Sequence, residues 1–196
     1  HLNTFLASMQ SNYAGALGIA YINILYAPLL EGKSDEEFKQ VAQELIFNGA
    51  QNAFSRGGQS LFLDFNIHTD VPRYLQSVPA IGPGGRYMLR LRNGSKAPLE
   101  EALREEQDSS GYPLMDLYWT DENGRRWLAL RELADAEKGV VYDPRVAEDL
   151  RARGQSIVTY GDYQEETRRF CHALLDGFGE GDRTGRVFEF PKCDFH

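Results

Sequence analysis

Apolar residues recur along this chain with two different periods, and the switches between them outline its elements. From Leu2, the residues Leu2, Phe5, Leu6 and Met9 fall at the i, i+3, i+4, i+7 spacing of one helix face. A second run, Leu17, Ile19, Ala20, Ile22, Ile24 and Leu25, is apolar nearly all round and stops at Pro28, which predicts a helix buried between other elements. The small residues Ala14, Gly15, Ala16 and Gly18 let another backbone come close, or break the run in two. Ser34-Asp35-Glu36-Glu37 is a capping box that opens a helix of about 20 residues. Phe38, Val41, Leu45 and Ile46 form its buried stripe, continued by Gly49 and Ala53, and Arg56-Gly57-Gly58 ends it. Ser60 to Ile67 is then rich in apolar residues on both faces, as in an interior strand of a sheet covered on both sides. Helix, Gly-Gly turn and buried strand follow α/β grammar.

Between residues 71 and 158 the texture changes. Prolines and Asn-Gly pairs punctuate short segments, with a helical piece from Leu99 to Glu106 and a hairpin signal where Tyr118-Trp119-Thr120 and Arg126-Trp127-Leu128 flank Asn123-Gly124. This reads as an inserted or elaborated region. Residues 159–196 return to a helix from Tyr163 to Phe178, a turn at Gly179-Glu180-Gly181-Asp182 and a strand from Arg186 to Phe190. Residues 1–70 supply the helices and the buried strand.

Composition narrows the classes. The 196 residues are 42% apolar with a formal net charge of −8, so a folded globular domain is affordable and a general phosphate-backbone binder is not expected: no DNA or RNA partner. Two cysteines, Cys171 and Cys193, are too few for a disulfide scaffold or a four-cysteine zinc site and fit a reducing, cytoplasmic compartment. No signal peptide is visible, and the apolar stretch from Tyr13 to Leu30 contains Asn23, two glycines and Pro28, so no membrane span is expected. Helical periodicity at the first residues, and an aromatic run at the last, give the expectation that the sequence is a piece of a longer polypeptide.

Generic site signatures are absent: there is no Walker loop, GxGxxG, HExxH or GxSxG, and His1, His68, His172 and His196 have no metal-ligand spacing. Cys171 and His172 are adjacent on a helix, so their side chains diverge, and both read as structural. Cys193 follows a strand and reads as a buried, inert thiol. Ser55-Arg56-Gly57-Gly58-Gln59-Ser60 is more informative, because two glycines at the entry to a strand permit close backbone approach. Gln59, Asp64 and Asn66 also place polar groups on that otherwise apolar strand, where they need partners or a ligand.

Five short motifs carry a resemblance. Met9 to Gly18, Tyr26-Ala27-Pro28, Ser55 to Gln59, Tyr160-Gly161-Asp162-Tyr163, and Gly181-Asp182 through Phe188-Glu189-Phe190-Pro191-Lys192 resemble, in order, the anaerobic (class III) ribonucleoside-triphosphate reductases, which are glycyl-radical enzymes. The resemblance covers roughly residues 1–70 and 158–196. It implies part of a ten-stranded α/β barrel that reduces ribonucleoside triphosphates to deoxyribonucleotides with formate as reductant. A radical glycine, installed by an iron–sulfur activase using S-adenosylmethionine, generates a thiyl radical, and a C-terminal zinc site lies nearby. The motifs place the reacting cysteines and glycine outside residues 1–196, so no catalytic residue or metal ligand is expected within them. The same resemblance implies a homodimer whose interface, near the nucleotide effector site, uses the first helices. It makes Gly57, Gly58, Gln59 and Asn66 candidate substrate contacts, and Gln10 and Asn12 candidate effector contacts. Two other readings remain at this stage: a glycyl-radical enzyme of formate-lyase type, and a non-catalytic nucleotide-sensing or dimerisation module.

Overall fold

The computed structural model describes residues 2–10, 12, 15–51, 62–99, 118–120, 126–128, 130–132, 140–142, 150–188 and 190–196. Along the chain run α1 (Leu2–Gln10), β1 (Leu17–Ile19), α2 (Ile22–Tyr26), α3 (Asp35–Gln51) and β2 (Leu63–Ile67). There follow α4 (Arg73–Gln76), β3 (Ile81–Gly82), β4 (Arg86–Arg90), β5 (Lys96–Pro98), β6 (Tyr118–Thr120) and β7 (Arg126–Leu128). Then come β8 (Leu130–Glu132), β9 (Val140–Tyr142), β10 (Ser156–Ile157), α5 (Gln164–Glu180) and β11 (Lys192–Phe195). These form two compact units, His1–Asp70 with Gln164–His196, and Val71–Tyr163.

In the first unit β1, β2 and β11 pair in parallel, in that order, with β2 central. Parallel neighbours need a crossover, and the two crossovers here carry α3 and α5. These helices pack on each other and on one face of the sheet. Leu63, Phe65 and Ile67 of β2 are buried in one cluster with Phe38, Ala42, Leu45 and Ile46 of α3 and Phe170 and Leu174 of α5. The helices approach closely because α5 presents Gly177 to α3, where an added Cβ would lie 2.9 Å from the Ile46 Cδ1. The capping box forms as expected: the Glu37 carboxylate accepts the Ser34 N–H at 2.8 Å, and the Ser34 hydroxyl accepts the Glu37 N–H at 3.3 Å. Strands in sequence order with both crossover helices on one face make a singly wound α/β layer. Among the described residues this sheet stays three-stranded and open, so the fold seen is α/β without a closed barrel.

Three sequence expectations are corrected. The apolar run from Leu17 is not one helix: Leu17–Ile19 pairs with β2, and a helix begins only at Ile22. Glycine at 18 disfavours the helix, β-branched Ile19 favours the extended pairing, and the Leu17 N–H donates to the Phe62 carbonyl at its start. The last strand is Lys192–Phe195, not Arg186 to Phe190. Asp182 accounts for the shift, because its carboxylate accepts the Thr184 and Arg186 N–H groups and the Thr184 hydroxyl, folding 182–186 into a turn. Pro191 then lacks the N–H a ladder needs, so pairing begins after it. Finally, β2 is not apolar on both faces: Asp64 and Asn66 alternate with its buried residues and are half-buried.

The second unit is antiparallel. Its larger sheet has the order β10-β4-β3, with β5 also paired to β4, and buries Leu89 and Ile157. The β4–β5 turn uses Asn93-Gly94, with Gly94 in the left-handed region at φ 83° and the Asn93 side chain accepting the Ser95 N–H at 3.0 Å. The expected hairpin is present, β6 pairing with β7 in the register Tyr118↔Leu128, Trp119↔Trp127 and Thr120↔Arg126, while β8 pairs with β9. The proposed helical piece from Leu99 to Glu106 lies, beyond Leu99, outside the described residues. No described helix is long and apolar enough to cross a membrane.

Candidate functional site

The period of two along β2 and β11 sorts their side chains between the helices and the opposite face of the sheet. Register aligns Gly18 of β1 and Lys192 of β11 with Asp64, and Asp194 with Asn66. The same alternation reaches His68 and His196 just past the strands, whose rings stack with centroids 5.1 Å apart. The face away from the helices is therefore polar over successive rungs: Gly18–Asp64–Lys192, then Asn66–Asp194, then His68–His196. An aromatic contact, Phe62 edge-on to Phe190 at 4.8 Å, lies at its other end.

At the C-terminal ends of the strands, where parallel α/β sheets usually bind ligands, Tyr21 extends the stack. Its ring lies 4.9 Å from that of His68 at an interplanar angle of 25°. Tyr21 occupies the left-handed region, φ 55° and ψ 30°, a conformation costing a non-glycine residue about 1 kcal/mol. The fully buried Asn23 holds the other side of the stack. Its Oδ1 accepts the His68 N–H at 3.0 Å, and its Nδ2 donates to the carbonyls of His68 at 2.7 Å and Thr167 at 3.1 Å. β11 is tied on by the His196 N–H donating to Ile67 and the Thr69 N–H donating to His196.

Burial, and next the charge of His196, hold the His68 imidazole below its ordinary value of 6.5. The folded chain then binds fewer protons at His68 than the unfolded chain does between the depressed value and 6.5. The stability this residue contributes is full above about 6.5 and is lost as pH falls through that window. Nitrogen-15 titration of the imidazoles should give His68 a midpoint below 6.5 that rises part of the way back in His196→Ala, since burial is the larger cause. A midpoint at or above 6.5 in the unsubstituted chain would contradict this geometry.

Asn66 sits within this face, with its Nδ2 3.5 Å from the His196 Nε2. Gly57, Gly58 and Gln59 lie outside the described residues. Gln10 closes α1 and Asn12 follows it, the Asn12 amide donating to the Ser8 carbonyl at 3.0 Å. Sequence reasoning passed over Tyr21, His68, Lys192, Asp194 and His196. The signal for most of them was the alternation 64, 66, 68 set beside 192, 194, 196, hidden while the second strand was placed at Arg186 to Phe190, ahead of Lys192–Phe195.

Neither cysteine offers a thiol to the polar face. Cys193 aligns with Phe65 and packs against the helix-side core; burial, then the carboxylates of Asp64 and Asp194, push its thiol up to about 12. Cys171 is buried on α5, and burial raises it too. Among the described residues no group of three or more His, Cys, Asp or Glu is gathered to hold a metal ion.

A concavity of about 470 Å³ opens on the helix side between α3 and α5, its lining including Asp35, Phe38, Lys39, Arg169, His172 and Asp176. Its strongest donor is already engaged. Arg169 bonds Asp35 through Nε and Nη2, donates to the Lys33 carbonyl and lies over the Phe38 ring. The polar sheet face, which carries Asp64 and Asn66 on its central strand, is the better candidate.

A family model described as anaerobic ribonucleoside-triphosphate reductase matches residues 1–196, the whole chain. No curated protein and no solved structure matches it.

Proposed function

Because the chain belongs to the anaerobic ribonucleoside-triphosphate reductase family, we propose that its polar sheet face forms part of the substrate cavity of a reductase barrel. The observation that carries the reading is the pairing of family membership with a singly wound layer whose face opposite α3 and α5 is polar. Continued by further strands, such a layer curls into a barrel with that face inside.

In this reading the enzyme reduces ribonucleoside triphosphates to deoxyribonucleotides. The glycyl radical stored by such an enzyme supplies hydrogen-atom abstraction through a thiyl radical, and formate supplies the reducing equivalents. The thiols present do not fit that role, since Cys193 faces the core with its proton held to about 12 and Cys171 is buried on a helix. The contribution of this chain is to bind and orient the nucleotide. Gly57, Gly58, Gln59 and Asn66 are its proposed contacts. Gln10 and Asn12 are proposed to lie on the effector side of a homodimer, with an S-adenosylmethionine-dependent activase as the further partner and a cytoplasmic setting.

The test is Gln59→Ala and Asn66→Ala in the activated full-length enzyme. Each substitution removes one hydrogen-bonding side chain from the substrate, worth about 1.4 kcal/mol or a tenfold loss of turnover, with circular dichroism unchanged. Unaltered kinetics in both would remove the assignment. Nucleotide binding without turnover in the activated enzyme would favour a sensing module instead.

A further inference from the structure

One group on the polar face has no partner. The Asp64 Oδ1 is out of reach of water and accepts no hydrogen bond. Such an oxygen in a folded protein costs stability unless a donor arrives, because desolvation is not offset. The cation aligned with it across the sheet does not supply that donor: Lys192 holds its ammonium over the Phe190 ring, 5.5 Å from the centroid. On the other flank the aligned residue is Gly18, exposed, where an added Cβ would meet nothing within 4 Å. The carboxylate therefore has one enclosed, unpaired oxygen and lies next to the open position at Gly18, on the face that carries Asn66. The side chain as a whole is half-buried, so rotation about its terminal torsion presents either oxygen to that space.

We propose that Asp64 is a specificity-determining contact of this site, its carboxylate accepting a hydrogen bond from a ribose hydroxyl of the bound nucleotide. The inference rests on the reading of the face as a substrate cavity. A neutral hydroxyl fits better than a cationic group, because Lys192 on the same face repels positive charge. A site built to hold a hydroxyl discriminates strongly against a ligand lacking it, since the buried acceptor is then left unpaired.

The test uses the full-length polypeptide without radical activation, so that only binding is read. Calorimetry compares cytidine triphosphate with its 2′-deoxy and 3′-deoxy analogues, in the unsubstituted protein and in Asp64→Ala and Asp64→Val, neither of which keeps an acceptor at that position. The unsubstituted protein should prefer the ribonucleotide to at least one analogue by about tenfold or more, the analogue identifying the hydroxyl. Both variants should lose that preference while binding the analogue as before. Their thermal midpoints should stay level or rise, because a buried oxygen without a hydrogen-bond partner has gone; a merely structural Asp64 would lower them. Ribonucleotide-to-deoxynucleotide ratios unchanged in both variants would overturn the inference while leaving the substrate-cavity reading intact. Failure of the unsubstituted protein to bind any of the three would sink that reading, and this inference with it.

Discussion

Asn23→Ala should destabilise the sheet-bearing unit by about 3–5 kcal/mol, enough to unfold a marginal domain at moderate temperature. The side chain is fully buried and makes three hydrogen bonds, all to backbone: one from the His68 N–H and two to the carbonyls of His68 and Thr167. Truncation removes the partner of the His68 N–H and a donor to the His68 and Thr167 carbonyls, each loss costing about 1–3 kcal/mol, and adds the cavity left by the amide. Asn23→Asp keeps the shape but loses the donor and places a charge in the core, so it should be no better tolerated. Urea denaturation would show the midpoint falling with its slope unchanged. A loss below about 1 kcal/mol would mean that the strand end is held by something other than this amide. The consequence for function follows from which strand end is held. Asn23 fixes the backbone of His68, and with it the stack of Tyr21, His68 and His196 at the mouth of the proposed cavity.

Asn23 also shows how far the chain could be read before folding. In the sequence it marks only the stretch from Tyr13 to Leu30 as too polar to span a membrane. That a buried asparagine must find partners follows from its chemistry, but the partners lie 45 and 144 residues away, and no local period points to them. Local signals served well where local bonds decide. The capping box at Ser34, the helix stripe Phe38, Leu45 and Ile46, and the pairing of Tyr118–Thr120 with Arg126–Leu128 all match. They failed at Leu17–Ile19, whose apolar residues suit a helix equally well until β2 supplies a neighbour to pair with. Asn66 was legible because it interrupts an apolar strand. Lys192, Asp194 and His196 were not, because Asp182 and Pro191 move the last strand beyond its apparent start. The family resemblance, by contrast, was carried by short motifs whose identity does not depend on placing the strands, and the match over residues 1–196 agrees with it.

One of those motifs, Tyr160-Gly161-Asp162-Tyr163, owes its residues to packing in the second unit, and Gly161→Ala should expose this with a loss of about 3 kcal/mol. Helix propensity alone predicts the opposite sign, a gain of about 1 kcal/mol for alanine over glycine in a helical turn. Space decides between them. A Cβ at 161 would lie 2.6 Å from the Gln76 carbonyl oxygen and 3.2 Å from that residue's carbonyl carbon and Cα, all backbone atoms. Neither side can yield cheaply. The Gln76 N–H donates to Pro72 and its side chain to Val71, while the Tyr160 N–H donates to Val78. Asp162 accepts the Thr159 N–H at 2.8 Å and pairs with Arg90 at 2.9 Å, fixing the turn from its far side. Gly177→Ala in α5 is the control, because its new Cβ would meet only the Ile46 Cδ1, the mobile end of a flexible side chain, and the helix gains propensity. Thermal and urea unfolding of the two variants should therefore separate, with Gly161→Ala lower by at least about 2 kcal/mol. Equal losses would show that Gln76 gives way, and that the glycine of this motif is required for something other than the close approach of two backbones.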